Sequence, residues 1–321
     1  MLEESPWDDI PLPTRDFNVR RIAAKTVCPC FWGRDASGSC LFILELQGDH
    51  AASYRRSSVT VNGIGVDLRA GSQGNQRLVL ALEREVDRDL FEGLCNTLVS
   101  ALEHVKDSAG ALAVSLTHIN RWKVFLAGRI RKMSSEDVRG LFAELVFLRE
   151  LIDRGMRSQD AVEAWLGPER SNQDFIFGNK AVEVKSLSGA ERNSIRISSE
   201  DQLEFLNDEL FLYVCRLSRL SRAKNSRSLN ELVSDVNARL DSSSAISVFD
   251  RKLVAYGYVP LPEYDEPKFV ASDVTVYRVR DDFPRLMRSK LPRGIAKVSY
   301  DIKLEAIEKY RCDEISIFGD K

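Results

Sequence analysis

The chain has 321 residues, of which 44% are hydrophobic and 29% are charged, and its formal net charge is −2. This is the composition of an ordinary globular protein, and the net charge excludes a uniformly basic coat for nucleic acid. No apolar run approaches the roughly 18 residues that a membrane span requires. The cysteines lack a disulfide spacing and the acidic N-terminus lacks a signal-peptide pattern, so we expect a cytoplasmic protein with reduced thiols.

The first third of the chain has the pattern of β-structure. Residues 1–16 are acidic and interrupted by prolines, so we expect a loosely docked arm there. From 26 to 83, runs of β-branched and aromatic residues alternate with turn sequences. These runs predict four strands, TVCPCFW, LFILEL, SVTVNGIGV and RLVLALE. We therefore expect a β-rich N-terminal domain over residues 1–108.

Two helices are predicted next. Leucines recur every fourth residue from Leu90 to Leu102, which indicates a helix over about 87–105. A second helix is predicted over about 111–126. We assign this second helix to a helical connector between domains, over residues 109–133.

The rest of the chain alternates between helices and strands. A helix is predicted from Ser134, which fits a capping box with Asp137, and it ends at Gly155. This alternation predicts a mixed α/β domain over 134–321. Its further predicted elements are a short helix near 161–166, strands near 174–187, 194–198 and 211–217, helices near 228–240 and 245–256, and strands at TVYRV and VSYDIKLEAI.

The segment QDFIFGNKAVEVKS predicts a β-hairpin. Gly178-Asn179 is a two-residue turn of the kind that closes a type II′ hairpin, and it pairs Phe177 with Lys180. One face of this hairpin is apolar and would dock on a core through Phe175, Phe177, Val182 and Val184.

The other face of the hairpin carries the charged residues. Counting back from the turn places Asp174 opposite Glu183, at roughly 5 Å between Cβ atoms. Because side chains alternate along a strand, Lys185 lies on the same face as Glu183. Facing carboxylates are destabilising unless something lies between them, and a divalent cation such as Mg²⁺ is a natural occupant. The alternative is a solvated polar face on which Lys185 neutralises the two acids.

A buried acid is predicted on the helix that begins at Ser134. Its apolar face is centred on Leu141, Leu145, Leu148 and Ile152. Glu144 falls inside this apolar sector, where a carboxylate is costly unless it is paired or coordinates a metal. An ion pair with an arginine or lysine of a neighbouring element is the alternative interpretation.

The order of these motifs resembles a bacterial family of PD-(D/E)XK proteins within the restriction-endonuclease-like nuclease superfamily. The resemblance implies a mixed sheet flanked by helices that cuts DNA phosphodiesters with Mg²⁺, or with Mn²⁺ in its place. Carried over by motif, Asp174, Glu183 and the Val184 carbonyl would be metal ligands. Lys185 would be the catalytic lysine, and Glu144 an outer or second-metal acid. The resemblance covers about 130–320.

The same resemblance implies a biological setting and partners. The family is associated with restriction-modification and phage-defence gene clusters, so the implied partners are DNA and other cluster subunits, such as an ATPase or a methyltransferase. Two cuts in a duplex usually need two sites, so a homodimer is a further hypothesis, and no membrane partner is expected. Gln173 stands where the family motif has proline. The competing function is a non-catalytic DNA-binding or scaffold subunit of a defence complex.

Three basic runs could contact a phosphate backbone. Arg121–Lys132, Arg216–Arg227 and Arg285–Lys297 each hold five basic residues and no acidic one. Solvated surface is the alternative for each run. Gln202, predicted early in a helix, could contact the site or DNA, although a surface glutamine is the simpler interpretation. Cys28, Cys30, Cys40 and His50 do not have the spacing of a closed zinc site, so buried thiols are expected.

Overall fold

The computed structural model describes residues 5–57, 61, 63–83, 88–103, 105–124, 133–169, 171–188, 193–204, 209–221 and 223–318. The chain divides into two compact units: Met1–Arg131 with Val259–Leu261, and Lys132–Tyr258 with Pro262–Lys321. None of the helices in these described ranges is long and apolar enough to cross a membrane.

The first unit contains an antiparallel sheet with the strand order β1-β2-β3-β5-β4. Strand β3 is its buried centre, as the continuous apolar run CLFIL predicts. The strands are β1 Phe17–Arg21, β2 Cys30–Asp35, β3 Cys40–Leu46, β4 Ile64–Ala70 and β5 Gln76–Leu82. The helices are α1 Ala51–Ser57, α2 Arg88–Leu102 and α3 Ser108–Val124.

The N-terminal segment is more firmly docked than the sequence predicts. Trp7 is fully buried, stacks on Phe91 at 5.4 Å between ring centroids, and donates from Nε1 to the Leu41 carbonyl at 2.9 Å. Strand β1 was also not predicted, because its sequence FNVRR is short, holds only two apolar residues and lies at the sheet edge. Residues 58–60 of the predicted strand SVTVNGIGV lie outside the described residues, and β4 begins only at Ile64.

The second unit contains a mixed sheet with the order β12-β10-β9-β7-β6, in which β7 and β9 are parallel. A separate pair is formed by β8 and β11. The strands are β6 Phe175–Phe177, β7 Lys180–Ser188, β8 Ser194–Ile197, β9 Glu209–Arg219, β10 Phe269–Val279, β11 Tyr300–Lys303 and β12 Arg311–Cys312. The helices are α4 Ser135–Asp153, α5 Ser158–Ala164, α6 Leu229–Asn237, α7 Ser243–Tyr256, α8 Leu304–Ile307 and α9 Ile315–Phe318.

Helix α4 packs across strands β7 and β9. It begins with the predicted capping box, in which the Ser134 side chain accepts from Asp137 N and the Asp137 side chain accepts from Ser134 N. Its fully buried Phe147 meets Phe175 and Tyr213 edge-on, at 4.7 and 4.8 Å between ring centroids. The predicted mixed α/β class, a mixed sheet flanked by helices with a β-rich N-terminal unit, is confirmed.

Two local predictions in the second unit are wrong. Residues 200–203, where a helix was expected, form turns. The stretch VSYDIKLEAI is a strand only over Tyr300–Lys303 and then becomes helix α8. Both segments are short, and their conformations are set by contacts with distant parts of the chain that a local pattern does not contain.

Replacing the aromatic centre of the second unit should be costly. We expect Phe147→Ala to lower the free energy of unfolding by about 3–5 kcal/mol, since it deletes a fully buried ring and leaves a cavity. Chemical denaturation measures this loss. The exposed Leu220→Ala, at a side chain 51% accessible, is the control and should change stability by less than about 0.5 kcal/mol. Similar losses in both variants would contradict this placement of the core.

Candidate functional site

The predicted hairpin is present with the predicted register. Phe177 pairs with Lys180, and Phe175 pairs with Val182. Gly178 has a φ of 57°, the left-handed conformation that the first central position of a type II′ turn requires. The turn therefore sets the positions of Glu183 and the other β7 residues relative to β6.

Asp174 lies one residue before β6, outside the paired residues of β6 and β7. Its carbonyl accepts from Leu166 N at 2.7 Å and Gly167 N at 3.1 Å. Its carboxylate turns towards β7, and Oδ2 accepts from Val184 N at 2.8 Å. Burial raises the pKa of Asp174, while Lys185 and the Val184 N–H oppose this rise. Asp174 is thus held against the strand that carries Glu183 and Lys185.

Glu183 is the least satisfied acid of the site. Its side chain is 1% exposed, and Lys185 Nζ lies 2.7 Å from its Oε1. Apart from this ion pair, neither carboxylate oxygen has a hydrogen-bond donor among the described residues. Burial raises the pKa of Glu183 to about 8, with repulsion from Asp174 adding to the rise and Lys185 opposing it.

Lys185 has a second partner from the turn at 200–203. Its Nζ donates to Gln202 Oε1 at 3.3 Å, and the same oxygen accepts from Ser198 N at 2.7 Å. Burial alone would lower the pKa of Lys185, but the nearby carboxylates of Glu183 and Asp174 outweigh it and raise the pKa. The ammonium is therefore charged and held between an acid and an amide.

Gln173, the residue in the place of the motif proline, supports this turn. Its buried side chain donates from Nε2 to the carbonyls of Asp201, Gln202 and Glu204, at 3.1 to 3.2 Å. A proline could not make these contacts. The departure from the motif therefore has a structural role, which is to fix the turn that presents Gln202 to Lys185.

Glu144 lies on α4 and is buried, as the helical pattern predicts, with 6% of its surface exposed. Its oxygens accept from two neutral donors rather than from an arginine or lysine. Trp165 Nε1 donates at 2.7 Å to Oε2, and Tyr256 OH donates at 2.9 Å to Oε1. Burial, with repulsion from Asp174, raises the pKa of Glu144 well above its usual value.

Gly167 has no side chain, and this leaves space for the carboxylates of Glu144 and Asp174. A Cβ atom at this position would lie 2.4 Å from Glu144 Oε2 and 3.2 Å from Asp174 Oδ1. The first distance is far below any van der Waals contact. An alanine here would therefore force the Glu144 carboxylate to shift from the position in which it accepts from Trp165 and Tyr256.

These side chains line one cavity of about 850 Å³. Glu144, Asp174, Glu183 and Lys185, the four predicted side chains, all contribute to its wall, together with Gln202. The rest of the lining is largely polar and includes Ser171, Ser186, Ser188, Ser194, Arg196, Ser198 and Asp301. A polar wall of this kind suits a charged, hydrated ligand.

The acidic side chains of the site suit a cation that takes only some of its ligands from the protein and the others from water or substrate. No group of three or more His, Cys, Asp or Glu side chains within the described ranges is arranged to hold a metal ion by itself. Both oxygens of Glu144 already accept hydrogen bonds, and one oxygen of Asp174 accepts from Val184. Among the described residues, the oxygens of Glu183 meet only Lys185 Nζ, and Oδ1 of Asp174 accepts no hydrogen bond. Mg²⁺ is commonly bound by one or two carboxylates, with waters and substrate phosphate completing its shell.

Several supporting residues were missed by the sequence analysis. Trp165 and Tyr256 donate to Glu144 across 21 and 112 residues of sequence. The crowding at Gly167 also depends on two acids that are distant in sequence. The sequence signal that could have pointed to Trp165 and Tyr256 is the buried position of Glu144 itself, since a buried acid needs donors.

Asp174 and the Glu-X-Lys of β7, together with the buried Glu144 of α4, have the residue types and the order of the PD-(D/E)XK motif. Residues 3–305 match the DUF4420 family, described as "Putative PD-(D/E)XK family member", and the chain belongs to this family. The resemblance found in the sequence is therefore confirmed, and it suggests a nuclease-like domain. Comparisons with curated proteins and with solved structures gave no match.

The steric role of Gly167 can be tested by a double-mutant cycle. We expect Gly167→Ala to destabilise the protein by about 1–3 kcal/mol, because its new Cβ would overlap Glu144 Oε2. In a Glu144→Ala background the overlap is gone, and the same change should cost at least about 1 kcal/mol less. Gly65→Ala, where the nearest atom to the new Cβ lies at 3.5 Å, is the matched control and should not depend on Glu144. Additive effects at positions 167 and 144 in thermal or chemical denaturation would contradict the proposed overlap.

Proposed function

We propose that the protein is a Mg²⁺-dependent endonuclease that hydrolyses DNA phosphodiester bonds, as part of a bacterial restriction or phage-defence system in the cytoplasm. The observation that carries the proposal is the Glu183 carboxylate. It is buried, unsatisfied by hydrogen bonds from the described residues, and next to both Lys185 and Asp174. A purely structural acid would be paired more completely, because an unsatisfied buried carboxylate costs several kcal/mol. Membership of the PD-(D/E)XK family supports the same reaction class.

The acids have distinct roles in this proposal. Asp174 and Glu183, with the Val184 carbonyl, would hold Mg²⁺ or Mn²⁺ at the cavity wall. When bound, the cation supplies charge stabilisation to the phosphoryl oxygens and acidity to a coordinated water. Glu144 acts from outside the ligand set, since Trp165 and Tyr256 already occupy both its oxygens.

Lys185 is the proposed catalytic residue. Its ammonium faces the cavity between Glu183 and Gln202, where it can hold the attacking water and stabilise negative charge on the reacting phosphate. Hydrolysis forms a bond from the water oxygen to phosphorus and breaks the bond to one ester oxygen, which takes a proton. Gln202 keeps the ammonium in place by accepting one of its hydrogens.

Removing the lysine should abolish cleavage. We expect Lys185→Ala to reduce Mg²⁺-dependent cleavage of plasmid and modified phage DNA by about 100-fold or more, the usual effect of removing a group that acts on the reacting atoms. Lys303→Ala is the matched control, because Lys303 on β11 has a side chain that is 75% exposed, and this variant should cleave normally. Both variants are assayed with and without proteins of the surrounding gene cluster.

The alternative role gives a different result. Equal cleavage by wild type and Lys185→Ala would disprove the assigned mechanism. DNA binding without cleavage by any form, in the presence of the cluster proteins, would favour a non-catalytic DNA-binding or scaffold subunit.

Metal binding should depend on pH through Glu183. Because the pKa of this carboxyl is raised to about 8, it carries a proton at pH 7 that a cation must displace. The apparent affinity for Mn²⁺ should therefore increase as the pH rises to about 8 and level off above it, by about tenfold per pH unit below the pKa. Calorimetry in two buffers of different ionisation enthalpy should detect about one proton released per ion at pH 7.

Two variants separate this effect from general destabilisation. Glu183→Gln should bind Mn²⁺ weakly and without the proton release, and Asp174→Asn should also bind weakly. Tight Mn²⁺ binding by both variants, or a wild-type affinity that does not change between pH 6 and pH 8, would show that these acids are not the ligands.

A further inference from the structure

One basic run remains without a role in the site described above. Residues 285–297, here called the basic segment, connect β10 to β11 and contain five basic residues and no acidic one. Arg288, Lys290, Arg293 and Lys297 of this segment are exposed. Like charges on one short surface segment repel each other unless an anion lies against them.

The basic segment is fixed to the protein by hydrogen bonds from its backbone and from some of its side chains. The Glu200 carboxylate accepts from Lys297 N at 3.1 Å and from Val298 N at 2.7 Å. Glu204 accepts from Arg288 N at 2.9 Å. The Arg285 side chain also donates to the Leu203 carbonyl, and Ser289 Oγ donates to Glu204 Oε1 at 2.7 Å. The charges are therefore carried on an anchored backbone.

Most of these charges are not compensated within the protein. Arg288 forms an ion pair with Asp201 at 3.3 Å. Lys290, Arg293 and Lys297 form no ion pair with any residue in the described part of the chain. Three positive charges on one anchored segment are thus available to a ligand with several negative charges.

The turn at 200–203, which anchors the basic segment, also contributes to the candidate site. Asp201 and Glu204, which contact the basic segment, flank Gln202, whose Oε1 accepts from Lys185. The segment continues into β11, whose Asp301 lines the cavity. Strand β11 pairs with β8, which contributes the exposed Arg196 to the same cavity wall. The basic segment therefore begins and ends beside the cavity.

We propose that the basic segment binds the backbone of duplex DNA next to the cleaved bond, through phosphate contacts from Lys290, Arg293 and Lys297. This inference rests on the proposed nuclease function and adds the surface that holds the substrate. Phosphates recur regularly along a duplex, so a row of cations anchored beside the cavity can bind them without reading the sequence. The contacts set affinity and register and leave the chemistry to the acids and Lys185.

The salt dependence of binding tests this surface. Binding of a 30-base-pair duplex is measured by fluorescence anisotropy in EDTA over a range of NaCl concentrations, so that no metal-dependent cleavage occurs. Removing two phosphate contacts with Arg293→Gln/Lys297→Gln should lower the slope of log affinity against log salt by about 1.8. The matched control is Arg219→Gln/Lys224→Gln, which removes one exposed arginine and one exposed lysine from another basic run and should leave the slope unchanged.

The outcomes separate this proposal from the nuclease proposal. With saturating DNA and Mg²⁺, the Arg293→Gln/Lys297→Gln variant should cleave at the wild-type maximal rate, with a higher DNA concentration needed for half of that rate. An unchanged salt slope in this variant, while wild type binds and cleaves DNA, would overturn the basic segment as the DNA surface and leave the nuclease intact. If only the control variant shows a reduced salt slope, the DNA binds the 216–227 run instead. This result would also overturn the basic segment as the DNA surface. Wild type that neither binds nor cleaves DNA would overturn both proposals.

Discussion

The burial of Glu183 beside Lys185 is the interaction on which the rest of the site depends. One ion pair at 2.7 Å is the only compensation that the described residues give to a carboxylate with 1% of its surface exposed. Taking a carboxylate out of water costs several kcal/mol, and a single partner does not recover that cost when Asp174 adds repulsion, so the pKa of Glu183 rises to about 8. Apolar contacts in the mixed sheet and α4, such as that of Phe147 with Tyr213, must therefore offset the free-energy cost of the buried acids.

The turn at 200–203 determines where the lysine lies. On one side, Gln173 donates to three carbonyls of this region, and Gln202 in turn accepts from Lys185. On the other side, Glu200 and Glu204 accept from the backbone of the basic segment. A shift of this short turn would thus move the ammonium and the positive surface together. Precision at the site comes from hydrogen bonds to an irregular segment as well as from the regular hairpin.

The parts of this site that the sequence predicted are those set by local geometry. The register of the hairpin follows from the Gly178 turn and the two-residue period of a strand, and the burial of Glu144 follows from the period of a helix. The parts that were missed depend on contacts between distant residues. Tyr256 reaches Glu144 across 112 residues of sequence, and Trp7 docks on a carbonyl 34 residues away. No local pattern encodes which donor will meet a given buried acceptor, although the need for a donor can be inferred.

The arrangement of charge explains how a chain with a net charge of −2 could act on a polyanion. Six acidic side chains line the cavity against three basic ones, so the cavity by itself does not attract the phosphates of the proposed substrate. Under the proposed function, a cation reverses the sign of the field at the cleaved bond, whereas the basic segment attracts the flanking phosphates whether or not a cation is bound. Affinity and chemistry then belong to different residues, and the turn that holds Gln202 links them. This division allows the cavity to remain acidic enough to select a divalent ion without excluding the substrate from the surface around it.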